Sequence, residues 1–265
     1  MKTAVITGSS SGLGFEMAKL FRQNGFNVVI NGTDPAKLER SAAALKEISS
    51  AGSVAFLRGS VAEKVDMQAL MDLAVEKFGR VDIWVNNAGV NQPSKPMWEL
   101  TDREINALIS IDLLGAINGS HVAMKQFSAQ GGGAIYNLEG YGSNDAHMLG
   151  LGMYGTAKRA VTYYTQSLAL EAAEKDTGVI VGRLSPGIMI TDFTVKALGR
   201  EKIDLPEKTK KVYNILGDYP DVVAKFLVAS MIKNEKNDVH IEWLTGRKAA
   251  WRFMTAAFNK RNFFD

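Results

Sequence analysis

The 265-residue chain has no cysteine and only three histidines, and its 31 lysines and arginines barely exceed its 28 aspartates and glutamates. The first absence excludes disulfides, thiolate nucleophiles and every cysteine-ligated zinc or iron–sulfur site. Three scattered histidines are too few for a histidine metal centre, so no metal is expected and the chemistry must use oxygen, nitrogen or a borrowed cofactor. A net charge of +3, with both signs spread along the chain, predicts no nucleic-acid footprint. No run approaches the roughly 18–20 apolar residues of a membrane span. Before Thr7 there are one basic residue and an apolar run of only three, Ala4-Val5-Ile6, too short for a secretory signal core, and this predicts a cytoplasmic protein. With no repeat, low-complexity tract or linker, residues 1–265 read as one domain.

What is present is an alternation of short apolar runs with longer stretches of helical period. The runs are Ala4–Thr7, Asn27–Asn31, Val54–Leu57, Ile83–Asn86, Ala134–Leu138, Val179–Leu184 and His240–Leu244. Right-handed βαβ units repeated in this way predict an α/β fold, a Rossmann-like doubly wound parallel sheet of about seven strands with helices on both faces. Leu13, Met17, Leu20 and Phe21 mark one face of a first helix that Asn24-Gly25 stops. Asp34-Pro35 reads as an N-cap with proline in the first turn, and Thr101-Asp102-Arg103-Glu104 has the form of a capping box opening a long helix. The rhythm breaks at about residues 192–219, a polar, lysine-rich stretch placed where a substrate loop would follow a strand.

Between the first strand and first helix lies Thr7-Gly8-Ser9-Ser10-Ser11-Gly12-Leu13-Gly14. Such a run can be a plain tight turn. Opening a βαβ unit, it fits a dinucleotide pyrophosphate better: glycine permits positive φ and close approach, and the helix N-terminus attracts the anion. The spacing is G-x-x-x-G-x-G. Further on come Asn86-Asn87-Ala88-Gly89 at the end of the fourth strand, Tyr154-Gly155-Thr156-Ala157-Lys158, and Ser185-Pro186-Gly187 followed by Thr191. In this order and spacing the four motifs resemble the short-chain dehydrogenase/reductase family. The resemblance implies a nicotinamide cofactor held by Gly8, Ser10, Ser11, Gly12, Leu13, Gly14, Asn87, Ala88, Gly89, Pro186 and Gly187. It also implies that Thr191 meets the carboxamide and Lys158 the ribose hydroxyls.

Tyr154 and Lys158 are four residues apart and share one helix face. An ammonium near a phenol lowers the phenol's pKa from about 10. Tyr154 is thus expected to pass a proton to a carbonyl oxygen as hydride arrives at carbon. The same pair on a surface helix would be inert. Two positions depart from the family pattern: Asp112 replaces the helix asparagine of the proton relay, and Gly140 stands where the catalytic serine is expected. Ser143 is the preferred substitute, with Glu139 or Tyr141 as alternatives; Ser143-Asn144 could equally make only a turn.

Family members that prefer NAD end the second strand with an acid. Here Gly32 takes that place and Thr33 follows, so nothing repels a 2′-phosphate, although the arginine of many NADP-specific members is missing too. NADP(H) is therefore expected over NAD(H), with Ser60 and Val61 near the adenine. Residues 137–143, 154–159, 184–187, 214–216, 222–224 and 243–249 resemble one branch, the chlorophyll b reductases of plants and their bacterial relatives, which appose an acid, a glycine and a later serine in the same order. That branch implies NADPH-dependent reduction of a formyl group to an alcohol. Alternatives are a generic 3-oxoacyl or hydroxysteroid-type ketone reductase and a dinucleotide-binding sensor or scaffold without turnover. A small-molecule carbonyl substrate and a homodimer or homotetramer are implied. The segment 247–265 alternates basic and aromatic residues, which favours an interface or core role over membrane contact.

Overall fold

The computed structural model describes residues 1–190, 207–258 and 261–264. Seven strands form one sheet in the order β3-β2-β1-β4-β5-β6-β7, and every pairing is parallel. They are β1 (Thr3–Ile6), β2 (Asn27–Gly32), β3 (Val54–Arg58), β4 (Ile83–Asn86), β5 (Gly133–Leu138), β6 (Val179–Ser185) and β7 (Val239–Glu242). All seven coincide with the apolar runs to within one or two residues. The sheet is covered on both faces. On one side pack α1 (Gly12–Gln23), α2 (Pro35–Lys46) and the helix Pro220–Lys233; on the other pack α3 (Lys64–Phe78), α5 (Gly115–Gln130) and α6 (Gly152–Glu174). Strand alternation divides the core between these layers: Ala4 and Ile6 of β1 enter the first, and Val5 enters the second.

The chain moves outward from β1 to β3 and then returns to place β4 on the other side of β1. This reversal opens a crevice at the carboxyl ends of β1 and β4, where doubly wound sheets bind ligands. Local chemistry fixes the flanking elements. Asp34 accepts the Lys37 N–H at 3.0 Å to cap α2, and Gly25, at φ +82°, ends the turn after α1. Thr101 and Glu104 make the reciprocal capping box of α4 (Asp102–Ala107).

The long helix expected from Thr101 is interrupted by a π-helical stretch, Leu108–Leu114, before α5. By length and composition alone the run Asp102–Gln130 could cross a membrane, although its apolar residues are interrupted by polar ones. Its apolar residues Val122, Ala123 and Phe127 are instead buried in the second core layer.

The C-terminal segment reverses the usual amphipathic order. Arg252 and Arg261 turn inward onto buried Asp218, which also takes the indole N–H of Trp243 at 2.7 Å. Trp251, Phe253, Met254 and Phe258 are exposed, so they do not fill this chain's own core. Of the expected substrate loop, residues 192–206 lie outside the described residues, and the remainder contains the helix Glu207–Leu216.

Candidate active site

The glycine-rich turn joins β1 to α1 at the crevice. Gly8 has φ +60°, and a Cβ there would lie 2.6 Å from the Ala88 Cα, so only glycine lets these two segments meet. Gly12, at φ +57°, faces open space, and the α1 N-cap Ser11 makes no side-chain cap bond to the first-turn amides. An anion can approach these N–H groups directly. The turn is held from below. The Thr7 hydroxyl accepts the Asn87 and Ala88 N–H groups at 3.0 and 3.1 Å, and Asn87 Nδ2 donates to the Thr7 and Gly8 carbonyls. A Cβ at Gly14 would come within 2.5 Å of that amide. Ser9 is buried, its hydroxyl joining Ile6 to Asn31, while Leu13 packs into the core.

Beneath the crevice floor lies a polar network that sequence reading did not identify. Asn86 and Asn137 face each other across β4 and β5, and Asn86 Nδ2 donates to Asn137 Oδ1 at 2.7 Å. Trp84 donates to Asn86, Ser120 donates to Asn137, and Asn137 donates to Thr165. Four elements (β4, β5, α5 and α6) are thereby tied together. Buried amides satisfied this fully form a rigid base. The available signal was an asparagine at the end of two neighbouring buried strands.

On this base stands the tyrosine. Tyr154 is 8% exposed, and its main-chain N–H donates to buried Gln92 Oε1 at 3.0 Å. A Cβ at Gly140 would lie 2.2 Å from the Tyr154 hydroxyl and 2.9 Å from Cζ. The phenol thus occupies the space that a residue-140 side chain would need. Lys158 is one turn further along, with Nζ 5.7 Å from the Tyr154 ring centre and bonded to the Leu138 carbonyl at 3.4 Å. The expectation that lysine would lower the tyrosine's pKa is corrected: burial pushes it well above the usual phenol range, and the Asp112 charge adds to that. The hydroxyl therefore holds its proton.

Asp112 is buried below the pair. Its Oδ1 accepts the Val90 N–H at 2.8 Å, and its Oδ2 has no hydrogen-bond partner. Burial raises its carboxyl to about 6, against the opposing pull of Lys158 and the Val90 N–H. Ser143 reaches this region, but its hydroxyl is committed to the main chain, accepting from the Gly140 N–H at 3.2 Å and donating to the Lys158 carbonyl at 3.4 Å. It holds the 140–143 turn onto α6, in place of the expected free donor.

Glu139, considered as a substitute for serine, points elsewhere. It is buried and bound to Thr162 and Ser185 hydroxyls and to His240 Nε2 at 3.0 Å. Burial alone would raise its carboxyl, but bonds from His240, Ser185 and Thr162 hold it at about 2. Glu139 in turn raises the His240 pKa.

At the other end of the crevice, Thr33, Arg58, Gly59, Ser60 and Asp66 line a cleft of about 310 Å³. Arg58, unnoticed in the sequence because it ends β3, pairs in register with Gly32 and bonds the Thr33 carbonyl at 3.1 Å. The basic group missing from the β2 end is thus supplied by the adjacent strand. Asp66 accepts the Ser60 N–H at 2.7 Å, and Val61 is buried against Gly115. Pro186 is buried, Gly187 adopts φ +73° against Leu244, and Thr191 lies outside the described residues. A glycine cradle, uncapped helix amides and a cleft carrying a cation match a nicotinamide dinucleotide in shape and charge.

Comparison with known proteins agrees with this geometry. The family model "short chain dehydrogenase" matches residues 2–202. The chain belongs to this family. It is 34% identical over 265 residues to the chlorophyll(ide) b reductase NOL, chloroplastic, of Oryza sativa subsp. japonica, covering 97% of this chain and 76% of that one. Among solved structures, levodione reductase aligns with a TM-score of 0.83 and 26% identity, covering 94% of this chain and 98% of that one. The 3-ketoacyl-(acyl-carrier-protein) reductase of Brucella melitensis, solved with NADH, aligns at a TM-score of 0.79 and 25% identity over 93% and 98% of the two chains. The chain is therefore a short-chain oxidoreductase of the chlorophyll b reductase-like branch, with a fold whose members bind a nicotinamide dinucleotide. The plant relative's chloroplast assignment overturns the cytoplasmic expectation.

Proposed function

We propose that this protein is an NADP(H)-dependent reductase that converts a formyl group to an alcohol, with a chlorophyll(ide) b-like tetrapyrrole as substrate class. The observation that carries the reading is the Tyr154 hydroxyl, buried in the space left by Gly140 and one turn from Lys158. A phenol that keeps its proton is suited to reduction, where an acid must be ready as charge develops on oxygen. A nicotinamide dinucleotide held in the crevice would supply the hydride that the carbonyl carbon takes up. Tyr154 gives its proton to the oxygen, and Lys158 offsets the phenolate charge that remains. Ser143 fixes the 140–143 turn, Gln92 fixes the tyrosine main chain, and Asp112 acts from beneath.

In this reading the 8–14 turn would receive the pyrophosphate, Ser60 and Asp66 would adjoin the adenine, and Lys158 and Asn87–Gly89 would border the nicotinamide ribose; the family resemblance assigns Pro186-Gly187 and Thr191 to the carboxamide. Arg58 supports NADP(H) over NAD(H), since an uncommitted guanidinium edge beside Thr33 suits a 2′-phosphate. Tyr163 and Leu170, exposed seven residues apart on α6, support a homodimer or homotetramer built on that face. Residues 1–265 act as one domain in this reading, with the stretch near 192–219 as its substrate loop.

The test is NADPH oxidation with a panel of simple aldehydes, formyl-tetrapyrroles and 3-ketoacyl thioesters. Turnover on formyl compounds is expected, falling about 10²–10⁴-fold in Tyr154→Phe. Activity confined to ketones would replace the substrate class by that of the ketoacyl reductases. Undiminished turnover in Tyr154→Phe would overturn the mechanism.

A further inference from the structure

Asp112 is the least comfortable carboxylate among the described residues. It is 1% exposed, sits in the π-helical stretch Leu108–Leu114, and leaves Oδ2 without a hydrogen-bond partner. π-Helical turns widen a helix locally and recur at functional sites. An unpaired buried carboxylate oxygen costs stability that a packing residue would not incur. Gly89 explains how it reaches the site: a Cβ there would be 2.7 Å from Asp112 Oδ1 and 3.6 Å from Lys158 Nζ, so both groups border the same point above a glycine. The titratable groups that interact with it are Lys158 and Tyr154, both from α6, while the 87–91 loop contributes only the Val90 N–H.

We propose that Asp112 is a titrating positioning residue that brakes the reduction while ionised, because its negative charge cancels part of the Lys158 field that must stabilise the Tyr154 phenolate. The inference rests on the reductase reading. Its sign follows from electrostatics. An anion near the tyrosine opposes loss of the phenolic proton, so protonating Asp112 makes Tyr154 the better acid. Burial places this change near pH 6.

Two measurements test it on the full chain. The first is the pH profile of kcat for aldehyde reduction in the wild type and in Asp112→Asn. The wild type should speed up about three- to tenfold between pH 7.5 and 5, with its midpoint near 6, and Asp112→Asn should stay flat at the fast level. Parallel profiles, or a variant slower at every pH, would overturn the proposal. The second needs no variant: in protein labelled with carboxyl-¹³C aspartate, one carboxyl should titrate near pH 6. If none does in an active reductase, the Asp112 proposal fails alone. If one does in a protein that reduces no carbonyl, the reductase reading fails.

Discussion

Replacing Gly140 by serine would restore the residue that the wider family carries at this position, yet the structure predicts harm. The new Cβ would sit 2.2 Å from the Tyr154 hydroxyl, 2.9 Å from Cζ and 3.1 Å from Lys158 Cγ. The phenol has no easy retreat, because its main chain is fixed to Gln92 and the 140–143 turn is fixed to α6 through Ser143. Overpacking of this kind costs about 1–3 kcal/mol, which for a chain of this size lowers Tm by about 3–10 °C. The kinetic penalty is larger, since displacing an acid by about 1 Å can cost 10²-fold in rate. Thermal unfolding and NADPH-dependent aldehyde reduction measure the two effects separately. Gly140→Ala should show both losses at similar size, which would assign them to the Cβ and not to the hydroxyl. A Gly140→Ser variant with unchanged Tm and equal or faster turnover would refute the claim that tyrosine and side chain compete for one space.

Arg58→Gln should weaken NADPH binding by about ten- to a hundredfold while leaving NADH affinity nearly unchanged, as charge-assisted bonds to a phosphate are worth about 1.5–3 kcal/mol; fluorescence titration of both nucleotides checks this. Equal losses for the two would remove Arg58 from the 2′-phosphate. The Glu139–His240 pair predicts stability changes at both ends of the pH scale. Glu139, lowered to about 2 in the folded protein, contributes stability above its unfolded value of about 4.3, lost as pH falls toward 2. His240, raised by Glu139, contributes stability that is complete below about 6.5 and lost as pH rises through its folded value. Urea midpoints measured across pH should show both declines, and His240→Gln should abolish the upper one.

Local regularities made the scaffold legible. β-Strands buried on both faces read as short apolar runs, and Asp34, Thr101 and Gly25 mark helix ends through bonds within one turn. The Tyr154–Lys158 spacing likewise depends only on helical period. What escaped reading was created by neighbours distant in sequence. Arg58 reaches the β2 end only because β3 pairs with β2, and Asn137 meets Asn86 only through the β4–β5 register. The Tyr154 pKa went the other way because burial, a tertiary property, and the charge of Asp112 both raise it. The use of the Ser143 hydroxyl was decided by two main-chain groups, the Gly140 N–H and the Lys158 carbonyl, that the sequence does not place.

The Asn86–Asn137 pair also bears on how the chain finds its sheet. Two adjoining parallel strands rich in β-branched and aromatic residues can slide past one another with little loss of apolar contact. A slip by one residue turns every side chain to the opposite layer, and a slip by two would leave Asn86 opposite Ile135 in one direction and Glu139 in the other. Either misalignment strands buried amides without partners, at about 1–3 kcal/mol for each group. The paired amides toward the carboxyl ends of β4 and β5 therefore favour this one register over its neighbours, so that the alignment of the sheet beneath the crevice is set by the protein's own side chains.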